Sequence, residues 1–362
     1  MWGAYGTGKI AKQFKIVHNK IVNNKIVNNL MHGKKQWIAL ALVLFGLAVL
    51  LLWREDPREQ YYHNQGQVFG TYYNIRYEAK EDMEQAIKQR LSEFDRSLSM
   101  FNPQSTIARI NRNECDSTDA LFEAMYAEAR AVSELSQGAF DITVAPLVNL
   151  WGFGLRQGQH DAVSQTAIDS VMQFVGYQHI ALYEHRLLKD DTRTTLDASA
   201  IAKGYGCDVI AALLDEHGCT NYLVEIGGEV VLRGVNDKGE KWRVGISKPQ
   251  DDTEGTTADY QDIIASSHLN MATSGNYRQF YYRDGERRSH TIDPRTGYPV
   301  NHGLLSATVT ASSCMRADAL ATACMVLGAD EALLMIAQAP DAACYLIIAQ
   351  GDSTVIRTSG NW

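Results

Sequence analysis

Residues 68–98, VFGTYYNIRYEAKEDMEQAIKQRLSEFDRSL, change their hydrophobic period in mid-stretch. Val68–Tyr77 is dense in Val, Ile and Tyr, the composition of a strand. From Met83 onward Ala86, Ile87, Leu91, Phe94 and Leu98 recur at helical spacing. A strand running straight into a helix with one apolar stripe needs a sheet for that stripe to cover. Downstream the two patterns continue to mix. A second amphipathic helix is expected over about 119–136, with Leu121, Phe122, Met125, Val132 and Leu135 facing inward. Strands are expected near 178–185, 222–233, 242–247, 262–266, 304–311, 343–349 and 353–357, and helices at 199–216, 316–327 and 329–338. No second linker, low-complexity stretch or charge run divides this part. The pattern predicts an α+β fold, a single domain over residues 67–362 with mixed sheets and packed helices.

The 362 residues are 45% apolar, 21% charged and 9% aromatic, which excludes wholesale disorder, collagen and a bare coiled coil. Seven lysines and no acid lie in residues 1–36, a basic leader. Of the 34 basic residues 27 then remain against 42 acidic ones, so the rest of the chain carries −15. An acidic body argues against nucleic acid as a partner, because phosphates need a basic face.

Residues 37–53, WIALALVLFGLAVLLLW, are an unbroken apolar run with Trp at both ends. As a helix it spans roughly 25 Å, enough for a bilayer core. Lys34 and Lys35 before it and the mixed-sign Arg54–Arg58 after it predict a signal anchor with the N-terminus in the cytoplasm. The expected location is the inner (cytoplasmic) membrane, single-pass, with the main domain on the extracytoplasmic (periplasmic) side. A cleaved signal peptide is the alternative, although the run is long for one and no small-x-small site follows. Residues 54–66 are expected to be a polar linker. Upstream, the pentads KIVHN, KIVNN and KIVNN over Lys15–Asn29 are polar and repetitive. Residues 1–30 are either part of the protein or the product of a repetitive tract preceding a start at Met31. GAYGTGK at Gly3–Lys9 imitates a phosphate loop, but Ile10 replaces the hydroxyl residue and no strand precedes it. The six cysteines form no CxxC and no zinc spacing.

Several segments carry polar groups where packing alone would place none. Gly138–Gly154 (GAFDITVAPLVNLWGFG) sets Asp141, Thr143 and Asn149 in an apolar context, either a satisfied turn or a pocket wall. Asp197–Gly204 (DASAIAKG) opens a helix at an Asp, either an N-cap or a ligand contact, with Lys203 available to an anion. Leu223–Val230 (LVEIGGEV) pairs glycines within a strand pattern, a bulge or a close backbone approach. Ala272–Arg278 (ATSGNYR) and Ser289–Gly297 (SHTIDPRTG) are dense in small polar groups, and His290 and Asp293 lie three apart before a proline. In Ala317–Thr322 (ADALAT) Asp318 and Thr322 share a helical face. That pair is a hard-oxygen set suited to Mg²⁺, or else a capping Asp with a Thr bonded back to its own helix.

Taken together and in this order, these segments resemble the ApbE-like family of flavin transferases, FAD:protein FMN transferases, over about residues 66–350. The resemblance implies an enzyme that binds FAD with Mg²⁺ and passes its FMN half to a Ser or Thr hydroxyl of an acceptor flavoprotein. A phosphoester forms and AMP leaves. The implied acceptors are a membrane redox-pump subunit or an extracytoplasmic FMN-binding domain. Read against the family pattern, Asp318, Thr322 and the carbonyl of Ala200 are implied Mg²⁺ ligands. Ala139, Phe140, Asp141, Asp197, Lys203 and Ile292 fall at FAD-contacting positions. His290 is the candidate general base for the acceptor hydroxyl, with Asp293 to orient it. Two positions depart from the family: Phe69 stands where Met is frequent and Phe101 where Tyr is frequent. Both are expected against the flavin or adenine, where an aromatic ring still stacks. Two other readings use the same segments: an Mg²⁺-dependent FAD pyrophosphatase with water as nucleophile, and a non-catalytic membrane-tethered FAD-binding protein.

Overall fold

The structure is a computed structural model that describes residues 59–154, 163–249, 259–276, 280–283, 286–351 and 353–362, with scattered positions between 18 and 45. The chain divides into two units, Met1–Arg58 and Glu59–Trp362. In the first, the described positions 18–20, 22–25, 33, 37, 41 and 45 are helical. Apart from positions 37, 41 and 45, the expected anchor lies outside the described residues, as does most of the leader before it. Among the described residues no helix is long and apolar enough to cross a membrane.

The second unit opens with β1 (Gln60–Val68) and β2 (Thr71–Ala79), then α1 (Glu84–Leu98), α2 (Thr106–Asn111) and α3 (Ala120–Leu135). A 3-10 turn over Ile142–Val144 leads into α4 (Ala145–Leu150), followed by α5 (Gln165–Met172), β3 (Ile180–Tyr183) and β4 (Arg186–Lys189). Next come α6 (Ala202–Glu216), β5 (Tyr222–Ile226), β6 (Glu229–Arg233), β7 (Trp242–Ser247), β8 (Tyr260–Ser266) and β9 (His268–Gly275). The chain closes with β10 (Phe280–Arg283), β11 (Glu286–Ser289), β12 (Leu304–Thr310), α7 (Cys314–Leu327), α8 (Ala329–Ile336), β13 (Ala343–Gln350) and β14 (Ser353–Thr358).

Eight strands form one sheet in the order β1-β2-β5-β6-β9-β12-β13-β14, and three two-stranded ribbons pair β3 with β4, β7 with β8 and β10 with β11. The α+β domain is as expected. The sheets are not mixed: every strand pairing among the described residues is antiparallel. Hairpins account for part of this, and even the two-helix excursion between β12 and β13 returns antiparallel. Residues 60–66, expected as linker, form most of β1. Its polar composition belongs to an edge strand, paired on one side only. The expected 222–233 strand is a hairpin. Gly227 (φ +65°) and Gly228 (φ +106°) make a two-residue turn between Ile226 and Glu229, where the sequence suggested a bulge.

Helices α6 and α7 carry the middle of the fold. Cys207, Ile210 and Leu214 of α6 pack with Ile75, Tyr77 and Val224. Leu320 and Cys324 of α7 join Ala307 and Val309 in the larger core. Ten of the 14 residues of α7 are buried, Asp318 among them. Where the two helices begin, a Cβ on Gly204 would lie 2.3 Å from the Cys314 carbonyl oxygen, so only glycine permits the contact. Each helix caps the other there. Asp208 of α6 accepts the N–H groups of Cys314 (2.9 Å) and Met315 (2.8 Å), the first two of α7. Asp318 of α7 accepts the Gly204 N–H of α6 at 3.0 Å. The N-terminal donors that a helix cannot satisfy internally are thus supplied from across the contact. All six cysteines are free, and all but Cys115 are buried.

Candidate functional site

A cavity of about 950 Å³ opens between the start of α6, the 318–326 face of α7, the β5–β6 turn, the Asp141 turn and the loop after β11. Twelve of the thirteen residues expected at the site line it: Phe69, Phe101, Ala139, Phe140, Asp141, Asp197, Ala200, Lys203, His290, Ile292, Asp318 and Thr322. Asp293 does not. Both of its carboxylate oxygens are taken by Arg295, through Nε at 3.0 Å and the terminal nitrogen at 2.9 Å, and it also accepts the Arg295 N–H. Its side chain fixes the turn that closes with Gly297 N–H on the Asp293 carbonyl (2.8 Å), rather than facing the cavity.

The charged corner lies where the helices start. Lys203 Nζ is 2.9 Å from Glu229 Oε1 and 3.6 Å from Asp318 Oδ1. Glu229 and Asp318 are 2% and 1% exposed, so two buried carboxylates share one ammonium. Burial pulls the Lys203 pKa down, but the Asp318 and Glu229 charges outweigh it and hold the ammonium well above the ordinary lysine range. Burial pushes the Glu229 carboxyl up, Lys203 offsets this only in part, and Asp318 adds to the rise. Thr322 Oγ1 lies 3.2 Å from Ser274 Oγ on β9, not bonded back to its own helix, and both line the cavity. Asp318, Thr322 and Ala200 all line the cavity, and the donors they carry are hard oxygens. A carboxylate, a hydroxyl and a carbonyl are the donor set of a hard divalent ion that keeps several other ligands, and a poor one for zinc. The residues fit Mg²⁺. Among the described residues no group of three or more His, Cys, Asp or Glu gathers into an all-protein cage.

Asp197 is not the cap of α6. That helix starts five residues later behind Ile201, which makes no side-chain cap bond. Asp197 Oδ1 instead accepts the Ser199 N–H at 2.8 Å, shaping the turn that presents Ala200. Asp141 joins the two roles left open by its sequence. It lines the cavity, yet Oδ1 accepts the N–H and hydroxyl of Thr143 (both 2.7 Å) and Oδ2 accepts the Tyr177 N–H at 2.6 Å. Burial still raises its pKa against those three bonds. His290 follows β11, half-buried, with its ring 6.4 Å from that of Phe153 and edge-on to it.

The two departures from the family pattern meet at the cavity rim. Phe69 and Gly70 form the β1–β2 turn at φ +52° and +74°, a left-handed pair in which Phe69 is the strained member. The Phe69 ring packs on Phe94 at 4.9 Å between centroids. The Phe101 ring lies against Gly70, where an added Cβ would be 3.3 Å away, and is 64% exposed. Three contributors escaped the sequence reading: Glu229, Ser274 and Asp208. The first two sit inside quoted motifs, and a Glu opening the otherwise apolar strand EVVL was the available signal.

The family model of the ApbE family matches residues 69–346. An FAD:protein FMN transferase of Vibrio cholerae is 37% identical over 322 residues, covering 86% of this chain and 94% of the relative. One of Escherichia coli K12 is 35% identical over 301 residues, covering 80% and 84%. Among solved structures, the flavin transferase ApbE from Vibrio cholerae matches with a TM-score of 0.74 at 34% identity over 83% of this chain and 98% of that one. The apo flavinyl transferase ApbE of Pseudomonas stutzeri matches with a TM-score of 0.75 at 30% identity over 84% and 96%.

Proposed function

This chain belongs to the ApbE family, and we propose that its cavity is where FMN is transferred from FAD to the Ser or Thr hydroxyl of an acceptor flavoprotein, with AMP as leaving group. The chain is an enzyme of the FAD:protein FMN transferase class; the finer assignments below are our reading of its residues. The observation that carries them is convergence. Segments as far apart as Phe69 and Thr322 bring twelve expected residues to one cavity of about 950 Å³, near the upper end of ordinary small-molecule pockets and roomy enough for a dinucleotide.

Asp318, Thr322 and the Ala200 carbonyl would hold Mg²⁺. Bound there, the ion would neutralise charge on the diphosphate as the leaving group departs. Lys203, kept cationic by its two carboxylates, draws the diphosphate to the same corner. Phe69 and Phe101 offer ring faces at the rim for a flavin or adenine. Phe140 and Ile292 wall the apolar interior, Ala139 and the Asp141 turn fix the backbone beside it, and Asp197 holds the Ala200 turn. His290 takes the acceptor proton. The acceptor oxygen bonds to the FMN phosphorus, the bond from that phosphorus to the AMP phosphate breaks, and AMP leaves. Asp293 orients the loop through Arg295.

The anchor over residues 37–53 would place this domain on the extracytoplasmic side of the inner membrane, beside acceptors such as a redox-pump subunit or an extracytoplasmic FMN-binding domain. Mass spectrometry of an acceptor domain after incubation with FAD and Mg²⁺ tests the reading. A gain of FMN minus water, absent without the metal, is expected. Free FMN and AMP with unlabelled acceptor would establish the pyrophosphatase instead, and unchanged FAD the binding protein.

A further inference from the structure

Glu229 is absent from the residues implied by the family pattern, yet it is among the most constrained in the cavity wall. It is 2% exposed and opens β6 directly after the Gly227–Gly228 turn. Its Oε1 engages Lys203 at 2.9 Å. Its Oε2 is buried and has no hydrogen-bond partner among the described residues. A buried ion pair contributes little to stability by itself, and an unpartnered buried carboxylate oxygen costs free energy. A carboxylate kept in that state at a ligand cavity points to a donor that arrives with the ligand.

Geometry narrows the donor. Glu229 Oε1 and Asp318 Oδ1 lie 2.9 and 3.6 Å from one nitrogen, so they are at most about 6.5 Å apart. A divalent ion of the magnesium type binds oxygen at about 2.1 Å and keeps several waters. A bound water reaches a carboxylate at about 2.7 Å. The path from an inner-sphere oxygen through ion and water to an outer oxygen therefore extends to about 7 Å, beyond the bound on Oε1, and Oε2 on the same carbon comes within that reach when it is turned toward Asp318.

We propose that Glu229 is a positioning residue of the diphosphate corner, its Oε1 holding the Lys203 ammonium beside Asp318 and its Oε2 accepting a hydrogen bond from water on the divalent ion that Asp318 binds. This rests on the metal reading given above. Gln at this position replaces one carboxylate oxygen with an NH2 donor, so it cannot present one acceptor atom to the ammonium and the other to the water.

The test is Mn²⁺ binding to the full chain in mild detergent, without flavin, followed by the electron paramagnetic resonance signal of the free ion. The parent chain binds the ion and Asp318→Asn does not. Glu229→Gln binds it about 10- to 100-fold more weakly, with an unchanged urea midpoint. Glu225→Gln, on a β5 carboxylate that accepts from Asn74 at 3.0 Å outside the cavity, stays within twofold of the parent. Should Glu229→Gln not fold, Glu229→Asp, with its charge kept and its reach cut by one methylene, is expected to weaken binding several-fold. Parent affinity in a folded Glu229 variant, with binding lost in Asp318→Asn, overturns the role of Glu229 and leaves the metal reading standing. Parent affinity in Asp318→Asn, or no binding by the parent, overturns the metal reading itself.

Discussion

Substituting Asp318 in two ways separates the cap its carboxylate makes from the metal-binding role proposed for it. Oδ2 accepts the Gly204 N–H at 3.0 Å from a side chain 1% exposed, and Oδ1 faces Lys203 at 3.6 Å. Asp318→Ala strands a buried N–H in the first turn of α6, which costs about 1–3 kcal/mol. Asp318→Asn can turn its amide oxygen onto Gly204 and keep that bond, so its cost on this account is under about 1 kcal/mol. Neither variant retains the charge that would hold the metal. The urea midpoint at fixed m-value reads the first difference, and the rate of FMN transfer to an acceptor domain at saturating FAD reads the second. The expected pattern is asymmetric: Ala loses both stability and transfer, Asn loses transfer and stays near the parent midpoint. Equal midpoints for Ala and the parent would refute the cross-helix cap. Parent-like transfer by Asn would refute the ligand role.

Gly204→Ala drives a methyl to 2.3 Å from the Cys314 carbonyl oxygen. It should lower stability by about 1–3 kcal/mol or more, seen as a reduced urea midpoint. Asp208 has its pKa pushed up to about 6 by burial, against the two N–H bonds it accepts. The folded state therefore binds this proton more tightly than the unfolded chain does. Its stabilisation is full below about pH 4, the unfolded value, and is lost as pH rises through 6. Asp208→Asn should flatten the urea midpoint against pH across that window. His290→Ala should cut transfer by about 10²–10⁴ with FAD affinity, followed by flavin fluorescence, kept within a few-fold. Asp293→Asn, whose partner is Arg295, should cost far less in rate than His290→Ala; equal losses would put the Asp293 carboxylate in the chemistry.

Legibility in the sequence tracked how far each segment serves a single demand. The α1 stripe answers only to burial, and the expected 83–98 is Glu84–Leu98. β9 lies in the middle of the sheet but was not expected as a strand, because HLNMATSG is interrupted by polar residues with local duties. Asn270 donates to the carbonyls of Ala311 and Ser312, and Ser274 meets Thr322. β1 is masked in the same way. Its Asn64 is buried because its amide is satisfied there, accepting from the Tyr77 hydroxyl at 2.8 Å and donating to Asp82 at 3.1 Å. The positions that line the cavity were legible through the order of their motifs, whereas Glu229 was not. A Glu beside two glycines looks like turn chemistry until the neighbouring strands bury it. Asp293 errs in the opposite direction: proximity in sequence to His290 suggested a partner, but the tight turn gives its oxygens to Arg295, two residues on.

For Asp318 the sequence posed a choice between a capping carboxylate and a metal ligand, and the structure shows a cap that leaves the proposed ligand role open to the second oxygen. The cap serves another helix, and it occupies one oxygen. Had Asp318 capped its own helix it would sit at the position of Ser313, whose hydroxyl accepts the Arg316 N–H at 3.1 Å, and would lie outside α7. Placed one turn inside a buried helix, it reaches the start of α6 with Oδ2 and leaves Oδ1 toward Lys203 and the cavity. The hydrogen bond that secures the helix contact thereby sets the carboxylate's orientation, which is what a ligand to a geometrically demanding ion needs. Asp208 acts on the same contact from the other side, through the Cys314 and Met315 N–H groups. Loosening either cap should therefore move Lys203 and Thr322 relative to each other, and lower diphosphate affinity before the domain unfolds.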